Sequence, residues 1–168
     1  VMLVASMNPC PCGYYGDPTR ECTCTESQIA RYISKISGPL LDRIDLHIEV
    51  PAVKYDELKA DSRGESSAAI KERVNRARKI QRDRYEGEGI YSNSRLTPAL
   101  MREHCALDRD AEMLLGQAYE SMGLSARAHN RILKVARTIA DLDGAERISA
   151  EHIAEAIQYR ALDRKFFN

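Results

Sequence analysis

Four cysteines fall within fifteen residues: Cys10-Pro-Cys12 and, after a nine-residue gap, Cys22-Thr-Cys24. That spacing lets four thiols meet at one point, and it commits the surrounding chain to an irregular, stapled loop. Ser6 to Thr25 is accordingly rich in Cys, Pro, Gly and Tyr and shows neither helical nor strand periodicity. Four thiolates at about 2.3 Å suit a tetrahedral zinc ion. C-x-C is less common than C-x-x-C in such sites and the intervening loop is short, so free thiols or a redox pair stand as alternatives. No secretion signal accompanies the cysteines, which makes a disulfide framework a poor fit. With cysteine in all four positions no site is left open for water, so a zinc here is structural rather than catalytic. Cys105 stands apart and reads most simply as a buried apolar residue.

The patterning on either side of this loop differs. Val1-Met-Leu-Val-Ala5 is fully apolar and predicts a buried strand with no cap or turn before it. A chain opening inside a core strand is expected to be a piece of a longer protein. Ser27 to Ser37 predicts a short helix with Ile29, Ile33 and Ile36 on one face, ended by Gly38-Pro39. From Arg43 to Val50, Ile44, Leu46, Ile48 and Val50 alternate with Asp45, His47 and Glu49, the pattern of a half-buried strand closed by Pro51. Beyond Pro51 only helices are expected. One runs from Ser66 to Tyr85. Thr97-Pro98 caps a second, and Asp108 caps a third that reaches Met122 and stops at Gly123. Ser125 caps a fourth ending near Asp143-Gly144, and Ser149 caps the last, with Ile148 and Ile153 placed for a hydrophobic staple. The chain is therefore mainly α. An α/β part covers 1–52, a connecting helix and loop 53–95, and a helical unit 96–168.

Length and charge narrow the functional classes. A chain of 168 residues is long enough to bury a core. No apolar run reaches the roughly 18–20 residues of a membrane span. Twenty-five basic and 25 acidic side chains give a net charge of zero, which excludes a chain that is one large basic patch. The balance is uneven, however. Lys71, Arg73, Arg76, Arg78, Lys79, Arg82 and Arg84, against Glu72 and Asp83, make residues 71–84 +5 and the remainder −5. Such a run is ordinarily a solvated helix face, and contact with phosphate is the alternative.

Three polar positions invite a functional reading beside an ordinary one. Asn8 follows the first expected strand, where it either caps a turn ahead of Pro9 or orients water or phosphate at a sheet's carboxyl edge. Arg43, flanked by Asp42 and Asp45, either makes a local salt bridge or is presented to an anionic partner. In the helix from Ser125, Ala128, Ile132, Val135, Ile139 and Leu142 mark the core face, while Arg127, Arg131 and Lys134 fall on another. An arginine in a first turn opposes the helix macrodipole, so Arg127 has some use other than helix stability unless the stripe is simply solvated. His47, His104, His129 and His152 show no ligand spacing and read as surface or filler residues. No G-x-x-x-x-G-K-[ST] sequence occurs, nor any Gly-Lys pair, so the chain has no phosphate loop of that kind.

Three long motifs then point one way: Asn8-Pro-Cys-Pro-Cys-Gly-Tyr-Tyr-Gly-Asp17, Ser37-Gly-Pro-Leu-Leu-Asp-Arg-Ile-Asp-Leu46, and the stretch from Leu124-Ser-Ala-Arg-Ala-His-Asn-Arg131 to Leu142. Together they resemble the C-terminal part of the bacterial magnesium-chelatase-like AAA+ ATPases of the competence-related ComM (YifB) type, over essentially the whole chain. The resemblance implies the end of an α/β AAA+ core followed by an all-α lid, within a cytoplasmic hexamer related to MCM helicases. It implies ATP and Mg as cofactors, and DNA as the partner, in branch migration during recombination and natural transformation. It implies that Asn8 is sensor 1, Arg43 the arginine finger, and Arg127 sensor 2 with Arg131 as the fallback. The Walker A and B sequences would lie before Val1, so this chain alone would not hydrolyse ATP. A zinc-stapled nucleic-acid-binding module and a chelatase-type ATPase that remodels a protein partner are the competing readings.

Overall fold

The computed structural model describes residues 2–51, 53 and 64–160, so Val1 and the boundary expected at 52/53 lie outside the described residues. Its regular elements among the described residues are helical. Element α1 spans Glu26–Ile33 and α2 Gly38–Leu41. After it come α3, Ser67–Arg84, a 3₁₀ turn, Asn93–Arg95, and α4, Pro98–His104. Then follow α5, Arg109–Ser121, α6, Ala126–Asp143, and α7, Ala150–Gln158.

The helix starts follow side-chain chemistry. The hydroxyls of Ser66, Thr97 and Ser125 and the carboxylate of Asp108 each accept a backbone N–H three residues on, satisfying a donor the helix cannot. Ser149 opens α7 in a capping box whose return partner is the ring of His152, with Nδ1 3.0 Å from the Ser149 N–H. His152 also meets Asp143 at 3.1 Å, so it is a built part of the helix start rather than filler. Thr25, not Ser27, caps α1, and Gly38-Pro39 begins α2 as well as following α1, with proline in the first turn and Ser37 as cap. Gly144 ends α6 at φ +71, a left-handed conformation that costs a residue with a Cβ about 1 kcal/mol or more.

Among the described residues the main apolar cluster lies in the helical unit, from Tyr85 to Ala156, while Cys10 and Ile29 are buried outside it. Leu115, Ile132, Ala136, Ile139, Ala140, Ile148, Ile153 and Ala156 from α5, α6, α7 and the intervening loop pack with Tyr85, Leu96 and Met101. Both staple residues, Ile148 and Ile153, are 0% exposed, and each contributes about 1.5–3 kcal/mol by burial. Cys105 is buried among them as expected. Leu142 is not: it faces solvent, because the core face of α6 passes through Ala136 and Ala140 instead. Only the C-terminal half of α3 is anchored, through Ala77 and Gln81; Ile70 and Val74 stay exposed.

Neither expected strand forms among the described residues, and the sole pairing there is an isolated parallel bridge between Leu107 and Ile148. The α/β part expected over 1–52 is thus not seen as a sheet. A strand needs a neighbour for its N–H and C=O groups, and an apolar sequence alone does not supply one. Met2, Leu3 and Val4 are 74–88% exposed. In the second segment the alternation sorts no two faces: Asp45, Leu46 and Glu49 are all exposed and Ile44 is half-buried. Ile48 and Val50 face outward, and the polar position His47 is buried, its N–H donating to the Tyr159 carbonyl at 2.8 Å.

Candidate functional site

The cysteine loop closes on itself by local chemistry. The Gly13 N–H donates to the Cys10 carbonyl at 3.1 Å, and Gly13 sits at φ +87. A Cβ there would be strained, and would lie 3.9 Å from Asn8 Nδ2, so the exposed Asn8 side chain lies over this turn. Asp17 Oδ1 accepts from the Thr19 N–H, the Thr19 hydroxyl and the Arg20 N–H, an Asx turn that reverses the chain toward Cys22. Arg20 folds back over the Tyr14 ring and donates to its hydroxyl at 2.7 Å.

The reversal brings the four sulfurs of Cys10, Cys12, Cys22 and Cys24 within 4.8 Å of one another. The closest separations are 3.3 Å for Cys10–Cys12, 3.5 Å for Cys12–Cys22 and 3.7 Å for Cys10–Cys22. A disulfide requires about 2.05 Å. Four sulfurs at about 2.3 Å from one tetrahedral ion stand about 3.8 Å apart, which these separations approach. The thiols are unequal. The backbone hydrogen bond from Tyr14 does most to hold Cys12 at about 5, against burial. Cys10 is lowered too: burial and Cys12 oppose its ionisation, and hydrogen bonds from the Tyr15 backbone, Cys22 and the Gly13 backbone overcome them. Cys22 has a backbone hydrogen bond from Cys24 in favour of its thiolate, yet burial and the Cys12 and Cys10 sulfurs push it up to about 12. Cys24 is raised, chiefly by burial. For all four to ionise together, a cation would have to lie among them. The donor set fits a metal ion. A second group of possible ligands, Glu88, Glu103 and His104, has both carboxylates exposed.

The Arg43 turn follows α2. Arg43 is exposed, and its Nη1 donates to the Pro39 carbonyl at 2.8 Å. It makes no salt bridge with its acidic neighbours. Asp42 Oδ2 instead accepts from the Ser125 hydroxyl at 3.3 Å, and Asp42 Oδ1 from Arg160 at 3.3 Å. Asp45 pairs with Arg131 on α6. The turn is thereby docked on the start of α6, where Arg127 projects exposed from the first turn and Arg131 is engaged by Asp45. Lys134, one turn on, donates to the Ser94 carbonyl at 3.1 Å, and burial lowers its pKa. Arg127 has no hydrogen bond or ion pair among the described residues. Asn8 makes none with the Arg43 turn or α6 there.

Sequence reasoning missed two buried arginines. Arg137, 1% exposed, donates from Nε to Asp141 at 3.1 Å and from its other nitrogens to the Glu146 and Ala145 carbonyls at 2.7 and 2.6 Å. Asp141 also receives Arg84 and the Asn93 amide, and Asn93 accepts from Tyr85. Burial pulls Arg137 below its usual value with Asp141 opposing, whereas at Arg84 the same carboxylate outweighs burial and raises it. In a sequence an Arg–Asp pair at i, i+4 reads like any solvated pair; its one signal here is that Arg137 and Asp141 each directly follow an alanine, Ala136 and Ala140, that the fold buries. Arg160, also 1% exposed, lies beyond the last helix, where periodicity says nothing.

Comparison with known proteins agrees with the motif content. Residues 64–160 match the family described as magnesium chelatase, subunit ChlI C-terminal, and residues 1–58 match magnesium chelatase, subunit ChlI. Competence protein ComM of Haemophilus influenzae is 44% identical over 96% of this chain and 31% of its own length. The YifB protein of Escherichia coli is also 44% identical over 96% of this chain. A Mycobacterium bovis protein is 34% identical over 94% of it. The chain spans about a third of these curated relatives, 31% in each case. Among the described residues no helix is long and apolar enough to cross a membrane.

Proposed function

This chain belongs to the magnesium chelatase subunit ChlI family, and on that footing we propose that it is the sensor, arginine-finger and lid portion of a hexameric AAA+ ATPase in the bacterial cytoplasm that acts on DNA in branch migration. Residues 1–52 then belong with the α/β core, 53–95 connect, and 96–168 form the lid. Asn8 serves as sensor 1, Arg43 as the finger reaching a neighbouring subunit's nucleotide, and Arg127 as sensor 2. ATP with Mg supplies the phosphoryl group passed to water. The loops that grip it belong to the rest of the full-length protein, and the chain alone is inactive.

The observation that carries this reading is the docking of the Arg43 turn on α6. It holds two exposed arginines, Arg43 and Arg127, on one helical unit, and neither is paired with a carboxylate among the described residues. Phosphoryl transfer is served mainly by positioned positive charge, and a trans arginine is worth on the order of 10³–10⁵ in rate. Arg131, already matched by Asp45, is the weaker candidate for sensor 2. The cysteine quartet is assigned to a structural zinc that fixes the loop beside Asn8.

The basic helix favours a phosphate-bearing partner. Arg73, Arg76, Lys79 and Arg84 are paired with Glu65, Glu72, Asp83 and Asp141. Lys71, Arg78 and Arg82 are exposed and without such partners among the described residues. At spacings of seven and four they share one face of α3, along about 16 Å. The same stripe would serve a zinc-stapled nucleic-acid-binding module without ATPase, the second reading.

Turnover of the full-length protein at saturating ATP, with and without branched DNA, separates them. The proposal expects DNA to stimulate turnover and Arg127→Ala to lower it at least about tenfold, a loss of 1.4 kcal/mol or more of transition-state stabilisation. Unchanged turnover in Arg127→Ala moves the role to Arg131 or removes it. Turnover indifferent to DNA favours a protein-remodelling ATPase, and none at all favours the binding module.

A further inference from the structure

Five attachments hold the six residues 42–47 to the helical unit. Arg160 Nη1 donates to the Ile44 carbonyl at 2.8 Å and its Nη2 to Asp42 at 3.3 Å; Ser125 reaches Asp42, Arg131 pairs with Asp45, and the His47 N–H meets the Tyr159 carbonyl. They converge from two directions, the N-terminal turns of α6 and the chain just past α7. Arg160 is the most constrained of them. Its side chain is 1% exposed, and a planar guanidinium fork aimed at both a carbonyl and a carboxylate fixes orientation as well as distance. The Arg131–Asp45 pair is the looser contact, since the Asp45 side chain is 63% exposed and surface pairs hold weakly. Arg43 itself stays out of the network: it is exposed, with its guanidinium donating to the Pro39 carbonyl, on a turn tethered to α6 and to the chain past α7.

We infer that Arg160, seconded by Arg131, is a positioning residue for Arg43: it makes the turn that presents Arg43 to a neighbouring subunit move with the helix that carries Arg127. The inference rests on the reading of Arg43 as a trans arginine. Its consequence is regulatory. Movement of α6 over one subunit's nucleotide is passed directly through Ser125 and Arg131, and by way of α7 through Arg160, to the arginine offered at the next site. The two sites are then coupled by a rigid connection rather than by independent loops.

The test uses the full-length protein and two readouts: ATP turnover, resolved into kcat and KM, and hydrogen exchange of the peptide covering 42–50. Arg160→Lys keeps the charge and removes the fork. It is expected to lower kcat by about 10-fold to 10²-fold, the scale of a misplacement near 1 Å, with KM for ATP little changed. Exchange at 42–47 is expected to quicken about tenfold. Asp42→Ala, at a part-exposed position less able to disturb folding, is expected to do the same more mildly. If Arg43→Ala slows turnover while Arg160→Lys and Asp42→Ala change neither kcat nor exchange, the positioning role is refuted alone. If Arg43→Ala leaves turnover unchanged, the trans-arginine reading fails and the coupling fails with it.

Discussion

Asp141→Asn is the sharpest test of what holds the helical unit together. Asp141 has no exposed side-chain surface, and it receives Arg84 at 3.0 Å, Arg137 Nε at 3.1 Å and the Asn93 amide at 2.8 Å. It therefore ties α3, the 3₁₀ turn and α6 to one carboxylate. The substitution is nearly isosteric, so packing is preserved and charge is removed. Arg137 then remains buried with its carbonyl partners but no counter-charge. Removing one partner of a buried pair costs about 3–5 kcal/mol. The new amide also presents an N–H₂ group toward guanidinium donors, and Arg84, whose side chain is 16% exposed, loses the same counter-charge. For a unit of this size that loss lowers Tm by about 10 °C or more. Circular dichroism melts, with urea titration for the free energy, would read it. Adding Arg137→Met to Asp141→Asn should recover part of the loss, because the buried guanidinium that lacks a counter-charge is then gone. A loss below about 1 kcal/mol in Asp141→Asn, or a double variant less stable than the single one, would refute the argument that the carboxylate exists to neutralise Arg137.

Purified full-length protein is expected to carry one zinc per chain, and Cys12→Ser to lose it; metal analysis under reducing conditions showing none would remove the zinc assignment. Asp108→Ala should destabilise the helical unit by about 1 kcal/mol, because Asp108 Oδ1 caps α5 through the Ala111 N–H at 2.8 Å, and a thermal melt would show it. Burial raises the Cys105 thiol to about 11. Since the thiolate is the nucleophile, its alkylation at pH 8 should run about 10²-fold slower in native protein than after unfolding, and should accelerate only as pH climbs toward that value. Mass spectrometry of the Cys105 peptide checks this, and equal native and unfolded rates would contradict it.

The helical unit was largely legible because its signals are local. Ser66, Thr97, Asp108, Ser125 and Ser149 sit at helix starts whatever the tertiary context, and the Ile148–Ile153 staple needs only their spacing. The cysteine quartet was legible for the same reason, since the turns that close it, at Gly13 and Asp17, are local. The segments read as strands were not. Residues 2–5 and 43–50 carry strand patterning, but pairing is a property of a neighbour, and none is present among the described residues. Arg43 was identified, while the destinations of Asp42 and Asp45 were not: both look like partners for Arg43 in sequence, yet reach Arg160 and Arg131, at separations of 118 and 86 residues. The Asp141 network was hidden likewise, because a buried ion pair and a solvated one share the same i, i+4 spacing.

The central claim is that Arg43 works across a subunit boundary. It is tested most directly by mixing full-length Arg43→Ala protein into wild type in increasing proportion and measuring ATP turnover with branched DNA present. A ring in which each site needs its neighbour's arginine loses activity beyond simple dilution, and this is the result expected. Turnover falling only in proportion to the wild-type fraction would contradict a trans arginine at position 43.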